Sequence, residues 1–221
     1  MTTIGFIGSG KIGGTVARLA VAAGYDVVLS NSRGPSTLAD LVDSLGPHAR
    51  ADTPSEAAAA GELVVVSVPF GRFRELPVDA LAGKIVLDTN NYYPRRDGNF
   101  ALLDDKSVTS SELEQRFLAG AKLVKVFNNI NYRHLGALDR PAGAEDRSVL
   151  TIAGDDPDAK KQATAFLDAI GYDAYDVGGL SGSWRVEVGQ PAYARIYGPY
   201  GGIGHPVTAD TMRQALASAQ R

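Results

Sequence analysis

IGFIGSGKIG, residues 4–13, is the stretch that decides the fold of this chain. Its first half is apolar, as a buried strand is, and its second half carries glycines spaced Gly-x-Gly-x-x-Gly. Such glycines permit a sharp turn, the approach of a pyrophosphate to the backbone and close packing of the following helix, whose N-terminus favours an anion. The stretch therefore predicts a dinucleotide-binding strand–turn–helix unit. The residues expected to contact the cofactor are Gly8, Ser9, Gly10, Lys11, Ile12 and Gly13.

The composition is that of an ordinary soluble globular protein. The 221 residues are 44% hydrophobic and 21% charged, with a net charge of -3, which argues against a nucleic-acid partner. No apolar run reaches the roughly 20 residues that a membrane span needs. With no cysteine and three scattered histidines, we expect no disulfide, thiolate nucleophile or metal site. Because the first strand starts at residue 3 or 4, we expect no signal peptide and a cytoplasmic location.

Apolar runs alternate with helical patterns along most of the chain. This order predicts an α/β fold, a doubly wound and mostly parallel Rossmann sheet. After the first strand, strands are predicted at 26–30, 63–68, 84–88, 123–127, 148–153 and 173–177, with a short candidate at 49–51. Helices are predicted at 12–23, 35–45, 54–60 (with Thr53 as N-cap), 111–118, 157–170 and 208–219. Beyond Gly178 the chain becomes rich in Gly, Tyr and Pro, so we divide it into a dinucleotide-binding Rossmann domain, 1–177, and a small C-terminal cap, 178–221, that completes the substrate cleft.

The end of the second predicted strand discriminates between NAD and NADP. An NAD enzyme usually has an acid there, which accepts a hydrogen bond from the ribose 2′-hydroxyl. This chain instead has Asn31, Ser32 and Arg33, and Asp26 lies too far back in the strand. A hydroxyl and a guanidinium can bind a 2′-phosphate, which an acid would repel. We therefore predict NADP, although the same residues could form a polar turn only.

Other strand ends face the same crevice, because ligands of such sheets bind beyond the carboxyl ends of the strands. Ser67, Val68 and Pro69 are expected to form a wall against the nicotinamide, or Pro69 could simply end its strand. Asn90 and Asn129 could hydrogen-bond a ribose or a carboxamide, or could equally cap turns. We assign Asn90 to the cofactor and Asn129 to the substrate.

Five segments of the chain, in this order, resemble the F-420-dependent NADP oxidoreductases, small enzymes that pass hydride between NADPH and the 5-deazaflavin coenzyme F-420. They are the glycine loop, Asn31-Ser32-Arg33, Ser67-Val68-Pro69, Gly154-Asp155-Asp156 and Gly179-Leu180-Ser181-Gly182-Ser183. The resemblance implies that Ser32 and Arg33 hold the 2′-phosphate and that the glycine loop holds the pyrophosphate. It also implies that Pro69 flanks the nicotinamide and that the Ser181 region lines the deazaflavin pocket.

Two segments depart from that pattern and leave the acceptor open. Residues 128–132 are more polar than expected of the archaeal members, and the tail from Trp184 to Tyr200 is distinct. The same fold occurs in the NADPH-binding domain of membrane ferric reductases, where the acceptor is a flavin. The cofactor is therefore predicted to be NADP, with coenzyme F-420 or a flavin as second substrate.

Hydride transfer between stacked planar cofactors requires proximity and exclusion of water rather than acid–base catalysis. We therefore assign no catalytic acid or base. The residues expected at the substrate are Phe70, Asn129, Ser181 and Trp184, although Trp184 could instead anchor the cap to the core.

Two other functions stay open. An NADPH-dependent carbonyl or imine reductase would need a proton donor, for which Tyr132, His134, Tyr92 and Lys125 are the candidates. The chain is too short for the helical second domain of the hydroxyacid dehydrogenases. A non-enzymatic NADPH-binding sensor would have the same glycine loop. Tyr and Arg in residues 189–197 favour a homodimer, with a small-molecule redox substrate as the other partner.

Overall fold

Eight strands form the centre of the protein in a computed structural model that describes residues 2–221. The strands are β1 (Thr3–Ile7), β2 (Asp26–Ser30), β3 (Ala49–Ala51), β4 (Leu63–Val66), β5 (Ile85–Asp88), β6 (Lys122–Lys125), β7 (Val149–Gly154) and β8 (Asp173–Asp176). Their order in the sheet is β3-β2-β1-β4-β5-β6-β7-β8. β1 to β6 are parallel, β7 runs antiparallel to β6, and β8 is parallel to β7. The predicted doubly wound, mostly parallel sheet is confirmed.

Helices cover both faces of this sheet. They are α1 (Lys11–Ala22), α2 (Ala39–Leu45), α3 (Pro54–Ala60), α4 (Val78–Leu81), α5 (Pro94–Asp97), α6 (Ala101–Asp104), α7 (Ser110–Phe117), α8 (Tyr132–Leu135), α9 (Pro157–Ala169) and α10 (Ala209–Ala217). Four 3-10 segments, Pro35–Leu38, Phe70–Glu75, Leu180–Val186 and Arg195–Tyr197, lie between them. In the described part of the chain, no helix has the length and hydrophobicity to cross a membrane.

Strand composition follows from burial on both faces. β4 and all of β5 are buried, and only Asp88, the last residue of β5, is polar. One core cluster joins α1, α9 and α10 to the sheet through residues such as Val16, Phe166 and Met212. A second cluster contains Phe73 and joins the Phe70–Glu75 segment to the other face. Runs of apolar residues are therefore expected in these strands, as in parallel sheets generally.

Local signals explain where several helices begin. The Thr53 side chain accepts from the Glu56 backbone N–H and Glu56 reciprocates, so the predicted N-cap is confirmed as a capping box. The single helix predicted at 35–45 is wrong in its first turn, which is the 3-10 segment Pro35–Leu38. Thr37 is bonded there to the Gly34 carbonyl and to Asn31, which favours a tight turn.

Two strands end earlier than predicted, and both ends form the site. β6 stops at Lys125 rather than at residue 127, because Phe127 has a left-handed backbone with φ +62°. β4 stops at Val66 rather than at residue 68. The chain thus leaves the sheet early at both positions and enters loops beyond its carboxyl edge.

The C-terminal segment packs on the sheet domain through buried contacts. The hydroxyl of Tyr197, which is fully buried, donates to the Val149 carbonyl at 2.9 Å. The Val207 N–H donates to the Ser148 hydroxyl at 3.0 Å. Val149, Tyr197 and Val207 share one hydrophobic cluster with residues of α1 and α9. The division into two domains at residue 177 stays a prediction.

Candidate functional site

Two adjoining cavities open at the carboxyl edge of β1, β2, β4 and β5. We call the first the groove; its volume is about 520 Å³ and it is lined by Ile7, Gly8, Ser9, Gly10, Asn31, Ser32, Arg33, Pro54, Ser67, Val68, Pro69, Arg72, Glu75 and Leu76. The second, which we call the cleft, has a volume of about 400 Å³. Gly10, Ser67, Val68 and Pro69 line both, so the two cavities meet at the β4 loop. The switch point of a doubly wound sheet is where ligands bind.

The three glycines of the Gly-x-Gly-x-x-Gly motif have different structural roles. A Cβ on Gly8, which has φ +97°, would lie 2.2 Å from the Ser67 carbonyl oxygen, and one on Gly13 would lie 2.1 Å from the Gly8 carbonyl oxygen. A Cβ on Gly10 would meet nothing within 4 Å. Gly8 and Gly13 are therefore required by chain packing, whereas Gly10 keeps open the space where the cavities meet. That opening fits a pyrophosphate beside the backbone.

The helix behind this opening suits an anion. α1 begins after Gly10 with no side-chain cap and no acidic residue in its first turn. The N–H groups of a first helical turn lack intrahelical partners and carry the positive end of the helix dipole. Twelve residues make α1 long enough for this effect. A phosphate group in the groove would satisfy these N–H groups.

In the loop after β2, Asn31 fixes the shape of the loop, whereas the side chains of Ser32 and Arg33 are free within the described part of the chain. The Asn31 side chain accepts from the Arg33 N–H at 2.8 Å and donates to the Thr37 hydroxyl at 2.8 Å, so it holds the turn. Within residues 2–221, the side chains of Ser32 and Arg33 make no hydrogen bond or ion pair, yet both line the groove. They are therefore available to a 2′-phosphate, whereas Asn31 acts through the shape of the loop.

Asn90 supports the wall that the groove and the cleft share, which is formed by Ser67, Val68 and Pro69. Its side-chain oxygen accepts from the Val68 N–H at 3.0 Å, and its amide nitrogen donates to Glu114 at 3.1 Å. Asn90 also lines the cleft, although it is only 3% exposed. The predicted contact between Asn90 and the cofactor stays a prediction, since both polar atoms of its side chain already have protein partners. What it visibly does is fix Val68 and the adjacent Pro69.

A buried charged network lies beneath this wall. Lys125, 1% exposed, donates to Asp88 at 3.1 Å, to Ser110 at 3.2 Å and to the Asn90 carbonyl. All three ammonium hydrogens can thus be satisfied inside the protein, so Lys125 is structural rather than a proton donor to substrate. Burial, and secondarily the charge of Asp88, raises the pKa of Glu114 well above its usual value. The network ties β5, β6 and α7 together under the cleft.

The cleft is lined by aromatic rings and amides. Its lining residues are Gly10, Lys11, Ile12, Ser67, Val68, Pro69, Thr89, Asn90, Asn91, Tyr93, Arg96, Phe127, Asn128, Ile130, Asn131, Tyr132, Tyr193, Ala194 and Tyr200. They include no carboxylate and no histidine. The hydroxyls of Tyr93 and Tyr193 hydrogen-bond to each other and join the loop after β5 to the C-terminal segment. Nothing in the spacing of these tyrosines in the sequence reveals that they meet.

Two residues with left-handed backbones also border the cleft. Phe127 has φ +62° and Ala194 has φ +47°; the Ala194 N–H donates to the Asn129 carbonyl at 2.8 Å. Such conformations are unfavourable for residues other than glycine and concentrate at functional sites. Two of the three non-glycine residues with positive φ in the described chain line this one cavity. Backbone strain is therefore concentrated at the cleft.

The four residues predicted at the substrate do not line the cleft. Phe70 is fully buried in an aromatic cluster, with ring centroids 5.0 Å from Phe73 and 5.4 Å from Phe100. Asn129 is fully buried and donates to the Ala192 carbonyl at 3.0 Å. Their neighbours in sequence, Pro69 and Asn128, line the cleft instead, because consecutive side chains at a strand end point in different directions.

The other two lie on the Leu180–Val186 segment. Ser181 is exposed there, and Trp184 lines a separate cavity of about 180 Å³. The Arg221 guanidinium lies over the Trp184 ring, 6.0 Å from its centroid. Trp184 therefore packs against the C-terminus of the chain. Among residues 2–221, no group of three or more His, Cys, Asp or Glu side chains could hold a metal ion.

Comparison with known proteins agrees with this geometry. Residues 3–92 match the family described as coenzyme F420-dependent NADP oxidoreductase. Metalloreductase STEAP3 of Rattus norvegicus is 31% identical over 186 residues, 83% of this chain and 35% of the rat protein. This chain thus spans about a third of the length of that relative. The resemblance to the F-420-dependent NADP oxidoreductases is confirmed.

Solved structures share the fold of most of this chain. A hypothetical protein of Sinorhizobium meliloti superposes with a TM-score of 0.76 at 29% identity, covering 88% of this chain and 94% of that one. A protein provisionally described as an F420-dependent NADP-reductase of Arthrobacter sp. FB24 has a TM-score of 0.68 at 24% identity, covering 84% and 87%. An imine reductase of Streptomyces aurantiacus has a TM-score of 0.60 at 20% identity, covering 82% and 57%. The last two likenesses establish the common fold alone.

Proposed function

From its kinship with the NADP-dependent oxidoreductases, we propose that this chain transfers hydride between NADP(H) and a planar tricyclic acceptor, coenzyme F-420 or a flavin. The observation that carries the proposal is the cleft, which continues from the groove and is walled by tyrosine rings and amides without a carboxylate or imidazole. Such walls suit the stacking of a flat ring. Hydride transfer to a flat ring requires alignment of the two rings and exclusion of water rather than acid–base catalysis.

The groove residues would hold NADP(H). Gly10 leaves room for the pyrophosphate, the N-terminus of α1 offers N–H groups to it, and Ser32 and Arg33 are free to bind the 2′-phosphate. NADPH held in this way would supply the hydride. Val68 and Pro69, held through Asn90, would form the wall behind the nicotinamide.

The cleft residues would orient the acceptor and exclude water. The side-chain oxygen of Asn128 is buried and has no hydrogen-bond partner within residues 2–221, while its nitrogen donates to the Val186 carbonyl at 2.8 Å. That oxygen is free to accept from an N–H group of a flavin or deazaflavin ring. The Tyr93–Tyr193 pair would close one side of the cleft over the ring. Coenzyme F-420 ranks first because the matching family is described by it.

Anaerobic oxidation of NADPH, followed with coenzyme F-420, FMN, FAD and riboflavin, tests the proposal. We expect turnover with at least one of them and much slower turnover with NADH in place of NADPH. Tight NADPH binding without oxidation by any planar acceptor would contradict the proposal and favour a sensor.

A second candidate function, reduction of a carbonyl or imine, is favoured by one observation. Tyr132 lines the cleft, and its hydroxyl accepts from Arg133 at 3.1 Å, a hydrogen bond that lowers the pKa of Tyr132, with help from the charge of Arg133 and of Lys11. A phenol of this kind can donate a proton. Turnover of cyclic imines or ketones that is lost in Tyr132→Phe would support this function; turnover of planar acceptors that survives Tyr132→Phe would count against it.

A further inference from the structure

Four cations each lie over one of the tyrosines that line the cleft; Lys11 and Arg96 also line it, whereas Arg133 and Arg195 do not. Lys11 Nζ is 5.1 Å and Arg133 Cζ 5.9 Å from the ring centroid of Tyr132. The other two guanidinium groups are those of Arg96, 4.8 Å from the ring of Tyr93, and Arg195, 6.0 Å from the ring of Tyr200. We call Lys11, Arg96, Arg133 and Arg195 the cationic rim. The contacts with the rings hold these long side chains near the opening.

The charges of the rim are mostly uncompensated. Arg96 is paired with Asp97 at 2.7 Å. In the described part of the chain, Lys11, Arg133 and Arg195 have no carboxylate within 4.0 Å, and no acidic residue lines the cleft. The whole protein has a net charge of -3, so this concentration of positive charge is local. Unpaired cations at the mouth of a cavity attract an anionic ligand.

A dinucleotide in the groove does not account for the two distal arginines. Every residue that lines the groove lies between positions 7 and 76, whereas Arg133 is on α8 and Arg195 begins the Arg195–Tyr197 segment. Lys11 follows Gly10, at the junction of the two cavities, and could serve either ligand. Arg133 and Arg195 do not line the cleft themselves, but each lies over a tyrosine that does, within reach of a ligand tail that extends out of the cleft past Tyr132 and Tyr200.

We propose that the acceptor is anionic: its ring enters the cleft and its phosphate or carboxylate tail binds Arg133 and Arg195 at the mouth. A guanidinium binds phosphate and carboxylate through paired, charge-assisted hydrogen bonds. The inference rests on the proposed function and goes further, because it makes the tail rather than the ring the main source of selectivity among planar acceptors.

Pairs of acceptors that differ only in the tail provide the test. FMN and riboflavin share one ring system, and coenzyme F-420 can be paired with its ribityl deazaflavin, which lacks the phosphate and the tail beyond it. We expect kcat/KM for the tailed member of a pair to exceed that for its partner by about tenfold or more at low salt, and the ratio to shrink as salt rises. Binding of FMN and riboflavin, measured by quenching of their fluorescence without NADPH, should show the same preference.

Charge-removing variants locate the effect. The double variant Arg133→Gln/Arg195→Gln should lower kcat/KM for FMN to the value for riboflavin and raise the Kd of FMN to that of riboflavin. Both quantities should stay unchanged for riboflavin, and so should the Kd of NADPH. Arg133→Lys should retain part of the preference. Arg116→Gln, an exposed arginine on α7 with no hydrogen bond or ion pair within residues 2–221, is the matched control and should behave as the wild type.

The outcomes separate the two proposals. Equal use of FMN and riboflavin by the wild type, or equal losses for both in the double variant, would overturn the anionic tail while leaving hydride transfer to a planar acceptor standing. If no planar acceptor oxidises NADPH but FMN still binds more tightly than riboflavin through the two arginines, the proposed function fails and the anionic ligand of the cleft stands. If neither binds nor reacts, both fail.

Discussion

The groove and the cleft share a wall but are built in opposite ways. The groove comes from residues 7–76, with a short-range motif at each of three strand ends. The cleft comes from residues 10–200, with four tyrosines contributed by the loop after β5, by α8 and by the C-terminal segment. A backbone-built anion site can be specified locally, since glycines and a helix N-terminus suffice. A side-chain-built pocket needs the whole fold, and only three-dimensional structure brings its members together.

The largest effect is expected where the groove serves chain packing. Gly13→Ala would place a methyl group 2.1 Å from the Gly8 carbonyl oxygen and should lower the free energy of unfolding by about 3 kcal/mol. A Cβ on Gly10 meets nothing within 4 Å, so Gly10→Ala should cost at most about 1 kcal/mol, as alanine does at a helix N-cap, while weakening NADPH binding about tenfold. Chemical denaturation and NADPH titration measure the two quantities.

This pair of alanine variants is its own control, because the same substitution is made three residues apart. If Gly10→Ala also unfolds the protein, or if it binds NADPH as the wild type does, Gly10 does not have the ligand-facing role that separates it from Gly13.

The next effect tests whether the groove selects NADP. Arg33→Gln should raise the Kd of NADPH by about 30-fold, because a charge-assisted contact is worth roughly 2 kcal/mol, and should leave the Kd of NADH unchanged. Isothermal titration with both nucleotides measures the difference. Equal losses for NADH and NADPH would mean that Arg33 shapes the loop rather than binding the 2′-phosphate; Arg116→Gln should alter neither.

The network beneath the shared wall should give a measurable pH dependence. Because burial raises the pKa of Glu114 above the ordinary 4.5, the folded chain holds a proton that the unfolded chain releases. The contribution of Glu114 to the free energy of unfolding should therefore fall as pH rises above about 4.5, by about 1.4 kcal/mol per pH unit while the folded group stays protonated.

Glu114→Gln removes this titration and keeps an oxygen for Asn90. Urea unfolding between pH 5 and 8 should show a shallower loss of stability in Glu114→Gln than in the wild type, whereas Glu145→Gln, an exposed glutamate, should match the wild type. Parallel profiles for the wild type and Glu114→Gln would show that Glu114 is ionised in the folded protein.

The smallest effect is expected at the Tyr93–Tyr193 pair, which borders one side of the cleft. Tyr93→Phe breaks the hydrogen bond to Tyr193, a hydroxyl whose pKa is raised mainly by burial. We expect kcat/KM for the acceptor to fall a few-fold, in line with a net loss of about 1 kcal/mol, and the Kd of NADPH to stay the same. Tyr175→Phe on β8 is the control. A change in NADPH affinity with unchanged acceptor kinetics would assign the pair to the groove instead.

Most of the fold could be predicted from the sequence, because buried strands, capped helices and glycine turns each carry local signals. The capping box at Thr53 and the apolar run at 63–66 are two such signals. The antiparallel direction of β7 is a local exception within a mostly parallel sheet. The cleft could not be predicted in the same way. Tyr193 lies about a hundred residues from Tyr93, and the left-handed backbone of Phe127 is imposed by tertiary contacts rather than by residue type.

Adjacency in sequence does not tell which of two neighbouring side chains faces the core and which faces a cavity. Phe70 follows Pro69 directly, but an apolar ring at the start of a 3-10 turn is stabilised by packing with Phe73 and Phe100 rather than by facing a cleft. The Asn31 side chain holds the turn that presents Ser32 and Arg33, while Asn31 also lines the groove, so its predicted contact with the cofactor stays a prediction. Side-chain direction is therefore the missing information.

Transfer of deuterium from NADPH labelled at C4 of the nicotinamide tests the central claim most directly. In an anaerobic single turnover with coenzyme F-420, we predict that the label lost from the nicotinamide appears at C5 of the reduced deazaflavin, where a C–H bond does not exchange with water. Turnover without transfer of the label, or label recovered only in a reduced imine or ketone while F-420 and flavins stay oxidised, would contradict the assignment of the cleft to a planar hydride acceptor.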